Sequence, residues 1–193
     1  MNNTYFIMRH GQSTANVAGI ILSDPVEGRK PNYALTPLGE TQVRTSVSAQ
    51  KEAGALTENT LIVSSPFSRC LRSAEIAKEI LGTKSDIVVD DRLGERWFGD
   101  WDKTSDQNYA HVWEEDRKSP DRAAAHVESI RGVQERVMTV MQDLESRSSG
   151  RTILLVSHGD TLQILKETLR EKSADFHDGL TPLHVAEIQK IAI

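Results

Sequence analysis

The chain is expected to fold as a three-layer α/β/α sandwich around a mostly parallel central sheet. Two observations carry this expectation. Strand-length apolar runs at 5–8, 61–63, 87–89 and 153–156 are bounded by polar or turn residues, and segments of helical apolar spacing lie between them. Strands that are apolar throughout need cover on both faces, and alternation of strand with helix supplies it.

The elements follow in order. Tyr5 to Met8 opens the sheet. A helix is expected from Thr36 to about Ala53: Thr36 can cap it, Pro37 suits its first position, Glu40 favours its first turn and Gly54 ends it. After the run Leu61 to Val63, residues Cys70, Ala74, Ala77 and Leu81 share a helical face. After the run Ile87 to Val89, Val133, Val137, Val140 and Leu144 repeat the same spacing, and Ile153 to Val156 reads as the next buried strand. Two segments, 17–34 and 96–125, escape regular patterning, and the second holds all three tryptophans with a short helix expected around 107–115. Irregular segments this long are uncommon without a role, so both are candidate pocket walls. With no internal repeat, low-complexity tract or linker composition, residues 1–193 are expected to form one domain.

Composition narrows the function classes. The 193 residues are 38% hydrophobic and 26% charged, as in an ordinary globular domain. Twenty-eight acidic against 23 basic side chains leave a net charge of −5, which disfavours nucleic acid and anionic membranes as partners. No stretch approaches the ~20 apolar residues of a membrane span, and the first residues lack the features of a secretory signal, so a cytoplasmic location is expected. Cys70 is the single cysteine, too few for an internal disulfide or a Cys-based zinc site. It falls on an apolar helix face and reads as a small buried residue.

Three strands run directly into reactive clusters: Arg9-His10-Gly11-Gln12-Ser13, Ser64-Ser65-Pro66-Phe67-Ser68-Arg69 and Ser157-His158-Gly159-Asp160. In an open α/β sheet ligands bind beyond the carboxyl ends of the strands, so Arg9, His10, Arg69 and His158 should converge there. Two imidazoles and two guanidiniums suit a tetrahedral dianion, because arginine forks match phosphate oxygens and histidine can donate or attack. The ligand expected is a phosphate group. Gly11 and Gly159 fit, since a residue without Cβ allows close approach or an unusual backbone angle. Past the third run, Leu93-Gly94-Glu95 lies beside Trp97, Phe98 and Trp101, which could desolvate Glu95 and keep it protonated as an acid.

These residues, taken in order, resemble the histidine phosphatase superfamily, in its phosphoglycerate-mutase-like branch. The resemblance rests on Arg9-His10-Gly11, Leu35-Thr36 with Gly39 and Gln42, Ser65-Pro66 with Arg69, Leu93-Gly94-Glu95 with Gly99-Asp100-Trp101, and Ser157-His158-Gly159. It covers about residues 5 to 165. It implies that His10 is the nucleophile that becomes phosphohistidine, that Arg9, Arg69 and His158 hold the phosphoryl oxygens, and that Glu95 donates the proton to the leaving oxygen. It also places Ser13 and Asn16 near the phosphate or the pocket entrance and keeps Arg96 as a candidate substrate contact, with no cofactor or metal.

The chain departs from the family pattern in places. Segment 17–34 is longer than the usual loop and lacks its tryptophan. Mutases carry a Glu-Arg-His-Tyr-Gly-like run, where this chain has Glu95-Arg96-Trp97-Phe98-Gly99, while Gly99-Asp100-Trp101 and Val127-Glu128-Ser129 stand nearer the phosphatases. The reading is therefore a phosphatase of small phosphate monoesters, with a phosphoglycerate mutase second and a non-catalytic phosphate-binding module third.

Plainer roles are assigned elsewhere. His111, His126, His177 and His184 read as structural or surface residues, and Arg92, Arg96, Lys103, Arg117, Lys118 and Arg122 read mostly as a solvated face, with selection of an anionic substrate tail as the alternative. Trp97, Phe98, Trp101 and Trp113 could be core or pocket wall. A dinuclear metal site on His10, His158 and Asp160 lacks further ligands at suitable spacing.

Overall fold

The computed structural model describes residues 1–119, 121, 124–170 and 183–191. Arg122 and His177 lie outside the described residues. Among the described residues five strands form one sheet in the order β3, β2, β4, β1, β5, with β1 at Thr4–Arg9, β2 at Leu61–Ser64, β3 at Val88–Val89, β4 at Thr152–Ser157 and β5 at Ile188–Lys190. The first four are mutually parallel and β5 runs antiparallel to β1.

The pleat explains the three layers. Alternate residues of β1 and β4 point to opposite faces, so the continuous apolar runs feed two cores. Tyr5, Ile7, Ile153 and Leu155 join Val133, Val137 and Val140 of α5 (Ile130–Arg147) and Leu162 and Leu165 of α6 (Gly159–Leu169). Phe6, Met8, Leu154 and Val156 join Val43 and Val47 of α2 (Pro37–Glu52) and Cys70, Ala74 and Ala77 of α3 (Ser68–Leu81). Thr36 caps α2 by accepting from the Gly39 amide at 3.0 Å, as its hydroxyl and position demand.

The structure differs from the sequence-based expectation in three places. The run at 87–89 is expected as a buried strand, but only Val88 and Val89 pair, and they are 41% and 50% exposed because β3 is a sheet edge. Segment 17–34 is not wholly irregular, since α1 (Thr14–Ala18) enters it and short 3₁₀ turns occupy Glu27–Arg29 and Pro31–Tyr33. Two elements are not among those expected: α6, whose polar Asp160, Gln163, Lys166 and Glu167 are buried alongside its apolar residues, and the three-residue β5. The short helix in 96–125 is present as α4, Tyr109–Lys118. Among the described residues no helix is long and apolar enough to cross a membrane.

Candidate active site

The carboxyl ends of β1, β2 and β4 bring His10, Ser65 and His158 together, and the start of α3 adds Arg69. The His10 and His158 rings meet edge to face, with centroids 5.3 Å apart. Hydrogen-bond partners determine both tautomers. A carbonyl only accepts, so the 2.7 Å contact of His10 Nδ1 with Gly11 O puts the proton on Nδ1. Nε2 then carries the lone pair and accepts from Arg69 Nε at 3.0 Å. A guanidinium only donates, so His158 Nδ1 accepts from Arg69 Nη2 at 3.0 Å and Nε2–H donates to Ser65 Oγ at 2.9 Å. Burial, and then the charge of Arg69, hold both imidazoles well below the usual histidine range, so both are neutral.

Two donors stand out in this cluster. Arg9 Nε and Arg69 Nη1 are buried without a hydrogen-bond partner among the described residues. An unpaired buried donor is costly, and a guanidinium donor more so, which is how a preformed anion site differs from a packed core. Other arms of the same groups are fixed: Arg9 Nη1 donates to Leu183 O at 2.8 Å and Arg69 Nη2 also to Leu22 O at 2.9 Å. Phe67 packs edge-on to His158, with centroids 4.8 Å apart, and lies under the Arg69 guanidinium.

Glu95 closes the other side. Its side chain is 8% exposed and its Oε2 lies 3.9 Å from His158 Nδ1. Burial and then the nearby Asp160 raise its pKa, against the opposing charges of Arg69 and Arg9. Its Oε1 accepts from the Arg96 amide at 3.0 Å and lies 3.3 Å from Thr161 Oγ1, whose hydroxyl donates to Gly94 O at 2.9 Å. The cleft therefore opposes a lone-pair nitrogen to a buried carboxyl group across two guanidiniums.

Of the expected site residues, His10, Arg9, Arg69, His158 and Glu95 converge, and the others serve different ends. Arg96 is a correction: its side chain is fully buried, with Nη1 and Nη2 on Asp116 at 2.6 and 2.7 Å, Nη1 on Asp160 at 3.1 Å and Nε on Glu128 O at 2.7 Å. Each of its three guanidinium nitrogens is already bonded within the protein. Ser13 and Asn16 bind each other as the capping box of α1, with Ser13 Oγ donating to Asn16 Oδ1 at 2.9 Å. Gly11 gives its amide to Ser73 Oγ at 3.2 Å, and a Cβ there would stand 2.4 Å from Gly39 O. Its lack of a side chain serves the β1–α2 contact. A Cβ on Gly159 would stand 3.2 Å from Arg9 Cζ, so this glycine makes room for the guanidinium.

The tryptophan-rich segment divides as well. Phe98 is core, with Ile21, Val112 and Val127, and Trp101 packs against that cluster. Tyr109 stacks on Trp113 with centroids 5.4 Å apart, and Trp113 Nε1 donates to Asp160 at 3.1 Å. Residue identity alone gives no signal for Tyr109, Thr161 or Asp116, whose partners are distant in the chain. Arg92, Lys103 and Lys118 pair with acidic surface neighbours. Among the described residues no group of three or more His, Cys, Asp or Glu is placed to hold a metal ion. A separate cavity of about 270 Å³, lined by Arg96, Trp101, His111, Val112 and Asp116 among others, includes none of His10, Arg69, Glu95 or His158.

An α/β sheet with a histidine–arginine anion cleft at its strand ends defines a protein of the phosphoryl-transfer class. The chain belongs to the histidine phosphatase superfamily (branch 1), whose model matches residues 5–193. It is 28% identical over 169 residues to the probable phosphoglycerate mutase GpmB of Escherichia coli, covering 85% of this chain and 73% of that protein. In fold it is similar to a mycobacterial glucosyl-3-phosphoglycerate phosphatase complexed with VO3, at a TM-score of 0.79 and 24% identity over 97% of this chain and 91% of that one. It is likewise similar to a phosphoserine phosphatase mutant of Entamoeba histolytica, at a TM-score of 0.73 and 21% identity over 96% and 88% of the two chains.

Proposed function

We propose that the chain is a cytoplasmic phosphatase of small phosphate monoesters, acting through a phosphohistidine on His10. The observation that carries the reading is the pair of guanidinium donors without a partner among the described residues, Arg9 Nε and Arg69 Nη1, with Arg69 Nε 3.0 Å from the lone pair of His10 Nε2. In the first step that lone pair attacks phosphorus in line, the bond to the ester oxygen breaks, and the Glu95 proton passes to that oxygen. The guanidiniums stabilise charge on the equatorial oxygens. Water then attacks phosphorus, the N–P bond breaks, and the Glu95 carboxylate takes the proton of that water. His158 orients Arg69 through Nδ1 and is itself oriented by Ser65.

A mutase is the second reading, favoured by the relative named as one. Hydrolysis is supported over it by Arg96, whose guanidinium is buried and held between two aspartates. Incubation with 3-phosphoglycerate, with and without 2,3-bisphosphoglycerate, tests the choice. Free phosphate is expected, and 2-phosphoglycerate as the main product would replace the proposal with the mutase. A panel of phosphorylated metabolites scored for phosphate release then ranks substrates.

A further inference from the structure

In the phosphatase reading, on which this inference rests, Arg69 must aim at the phosphoryl group. We infer that Asp102 is a positioning residue for Arg69, acting through the backbone carbonyl of Leu22. A guanidinium carries five N–H donors in one plane, so the partners of some of them decide where the others point. Arg69 Nε meets His10 Nε2 at 3.0 Å, and Nη2 gives one hydrogen to His158 Nδ1 at 3.0 Å and the other to Leu22 O at 2.9 Å. Nη1 is left without a partner among the described residues. Phe67, with its ring centroid 4.9 Å from Arg69 Cζ, sets the height of the plane but not its rotation. Once Nε turns from His10 to a phosphoryl oxygen, as attack requires, His158 and Leu22 O remain to fix that rotation. Leu22 O is the one of these two that lies outside the histidine pair.

Leu22 belongs to no helix or strand, so its carbonyl is held only as firmly as its neighbours are. On one side Ile21 is fixed. Its amide donates to Thr104 O at 2.9 Å, its carbonyl accepts from Lys103 N at 2.7 Å, and its side chain is buried with Phe98, Val112 and Val127. On the other side a single carboxylate oxygen gathers the chain. Asp102 Oδ1 accepts from Ser23 N at 2.6 Å, from Ser23 Oγ at 2.8 Å and from Asp24 N at 3.1 Å. Ser23 Oγ in turn accepts from Phe98 N at 3.0 Å. Ser23 is buried, so its amide and hydroxyl would be costly to leave unpaired. With Ile21 held on one side and Ser23 and Asp24 on the other, the Leu22 carbonyl is directed at Arg69 Nη2. Removing the Asp102 acceptor releases the second side and lets that carbonyl turn away.

The test is a double-mutant cycle between Asp102 and Arg69, read as the Kd of inorganic phosphate by calorimetry and as kcat/KM on glycerol phosphate and p-nitrophenyl phosphate. Asp102→Ala should weaken phosphate binding and lower kcat/KM by about 10- to 100-fold, the scale of a misplaced group in a reacting geometry. The factor should be alike for the two esters, because Arg69 meets the phosphoryl group and not the leaving group. Asp102→Asn, which keeps the Oδ1 acceptor, should recover most of the loss. On the Arg69→Ala background, Asp102→Ala should change neither quantity by more than about twofold. Equal losses on both backgrounds, an asparagine variant as impaired as the alanine one, or an Asp102→Ala protein that binds phosphate and turns over as wild type does would overturn the proposal. If Asp102→Ala does not fold, Ser23→Ala takes its place in the cycle. A severalfold loss that vanishes with Arg69→Ala is then expected, and a loss that persists there, or no loss at all, overturns the proposal in the same way. Wild-type protein that binds phosphate but releases none from any ester would sink the phosphatase reading alone, since the binding arm of the cycle still reports on Asp102.

Discussion

Arg69 Nε lies 3.0 Å from His10 Nε2 and donates to the lone pair that would attack phosphorus. The same guanidinium donates through Nη2 to His158 and to Leu22 O, and its Nη1 has no partner among the described residues. Arg69 therefore links the two histidines and covers the nucleophile until an anion competes for it. Attack requires that Nε turn from nitrogen to a phosphoryl oxygen, an exchange of a neutral acceptor for a charged one that charge-assisted bonding favours.

Arg69→Ala should thus have two opposite effects on His10. Turnover of every phosphate monoester should fall ~100-fold or more, as for loss of one preorganised donor, while carbethoxylation of His10 by diethyl pyrocarbonate should speed up because its lone pair is uncovered. His10→Ala provides the labelling blank and should leave no acid-labile phosphoenzyme. Slower labelling in Arg69→Ala, with altered selectivity and little loss of rate, would place Arg69 in the leaving-group pocket.

Stability should fall on mild acidification. His10 and His158 are both buried neutral with lowered pKa, so the unfolded chain takes up protons near ~6.5 that the native state refuses. The unfolded state then binds more protons, and unfolding free energy decreases as pH falls below that value. Each of the two histidines contributes to that loss. Glu95, with its raised pKa, works in the opposite direction over its own titration. Urea midpoints at pH 7.5 and 5.5 should differ in wild type and differ less in His10→Gln, and equal differences would mean that His10 is protonated in the fold.

Arg96→Met should be severely destabilising even though Arg96 does not touch the cleft. It would take from the buried Asp116 and Asp160 the guanidinium that both share, and breaking a buried ion pair typically costs about 3–5 kcal/mol. Adding Asp116→Asn to that variant should recover part of the loss, because one of the two buried carboxylates that Arg96 serves is then removed. Loss of less than about 1 kcal/mol in denaturant unfolding would show that the pair does not hold this region together.

What can be foreseen from the chain divides along sequence distance. His10, Arg69 and His158 are legible because each lies just past an apolar run, and the strand-end rule gathers such positions whatever the loops do. The helix faces are legible because 3.6-residue spacing is a local signal, and Val133, Val137 and Val140 are all buried against the sheet. Arg96 is misplaced by sequence because its fate depends on Asp116 and Asp160, 20 and 64 residues away, and no local pattern announces such partners. Ser13 and Asn16 do carry a local signal, a serine with a side-chain acceptor three residues on, which is that of a helix cap. Val88 and Val89 show the limit of apolar runs, since an edge strand and a central one look alike until neighbours are counted.

The assignment of Glu95 as acid is tested by leaving groups. A carboxylic acid matters most where the departing oxygen is strongly basic, because an alkoxide develops far more charge in the transition state than a nitrophenolate does. Glu95 meets the requirements of such an acid, being buried and raised in pKa, with Oε1 engaged by the Arg96 amide and Oε2 on the His158 side. Glu95→Gln keeps the shape and the Oε1 acceptor but has no acidic proton. It should lower kcat/KM for glycerol phosphate by about 10²–10⁴-fold, the usual range for general acid catalysis, and that for p-nitrophenyl phosphate by far less. The acid must be protonated in the free enzyme, so wild-type kcat/KM on the alkyl ester should decline as pH rises through the Glu95 pKa. In Glu95→Gln that decline should vanish. Equal losses on both substrates, with the decline retained, would make Glu95 a structural carboxyl and require another group within reach of the leaving oxygen to carry the proton.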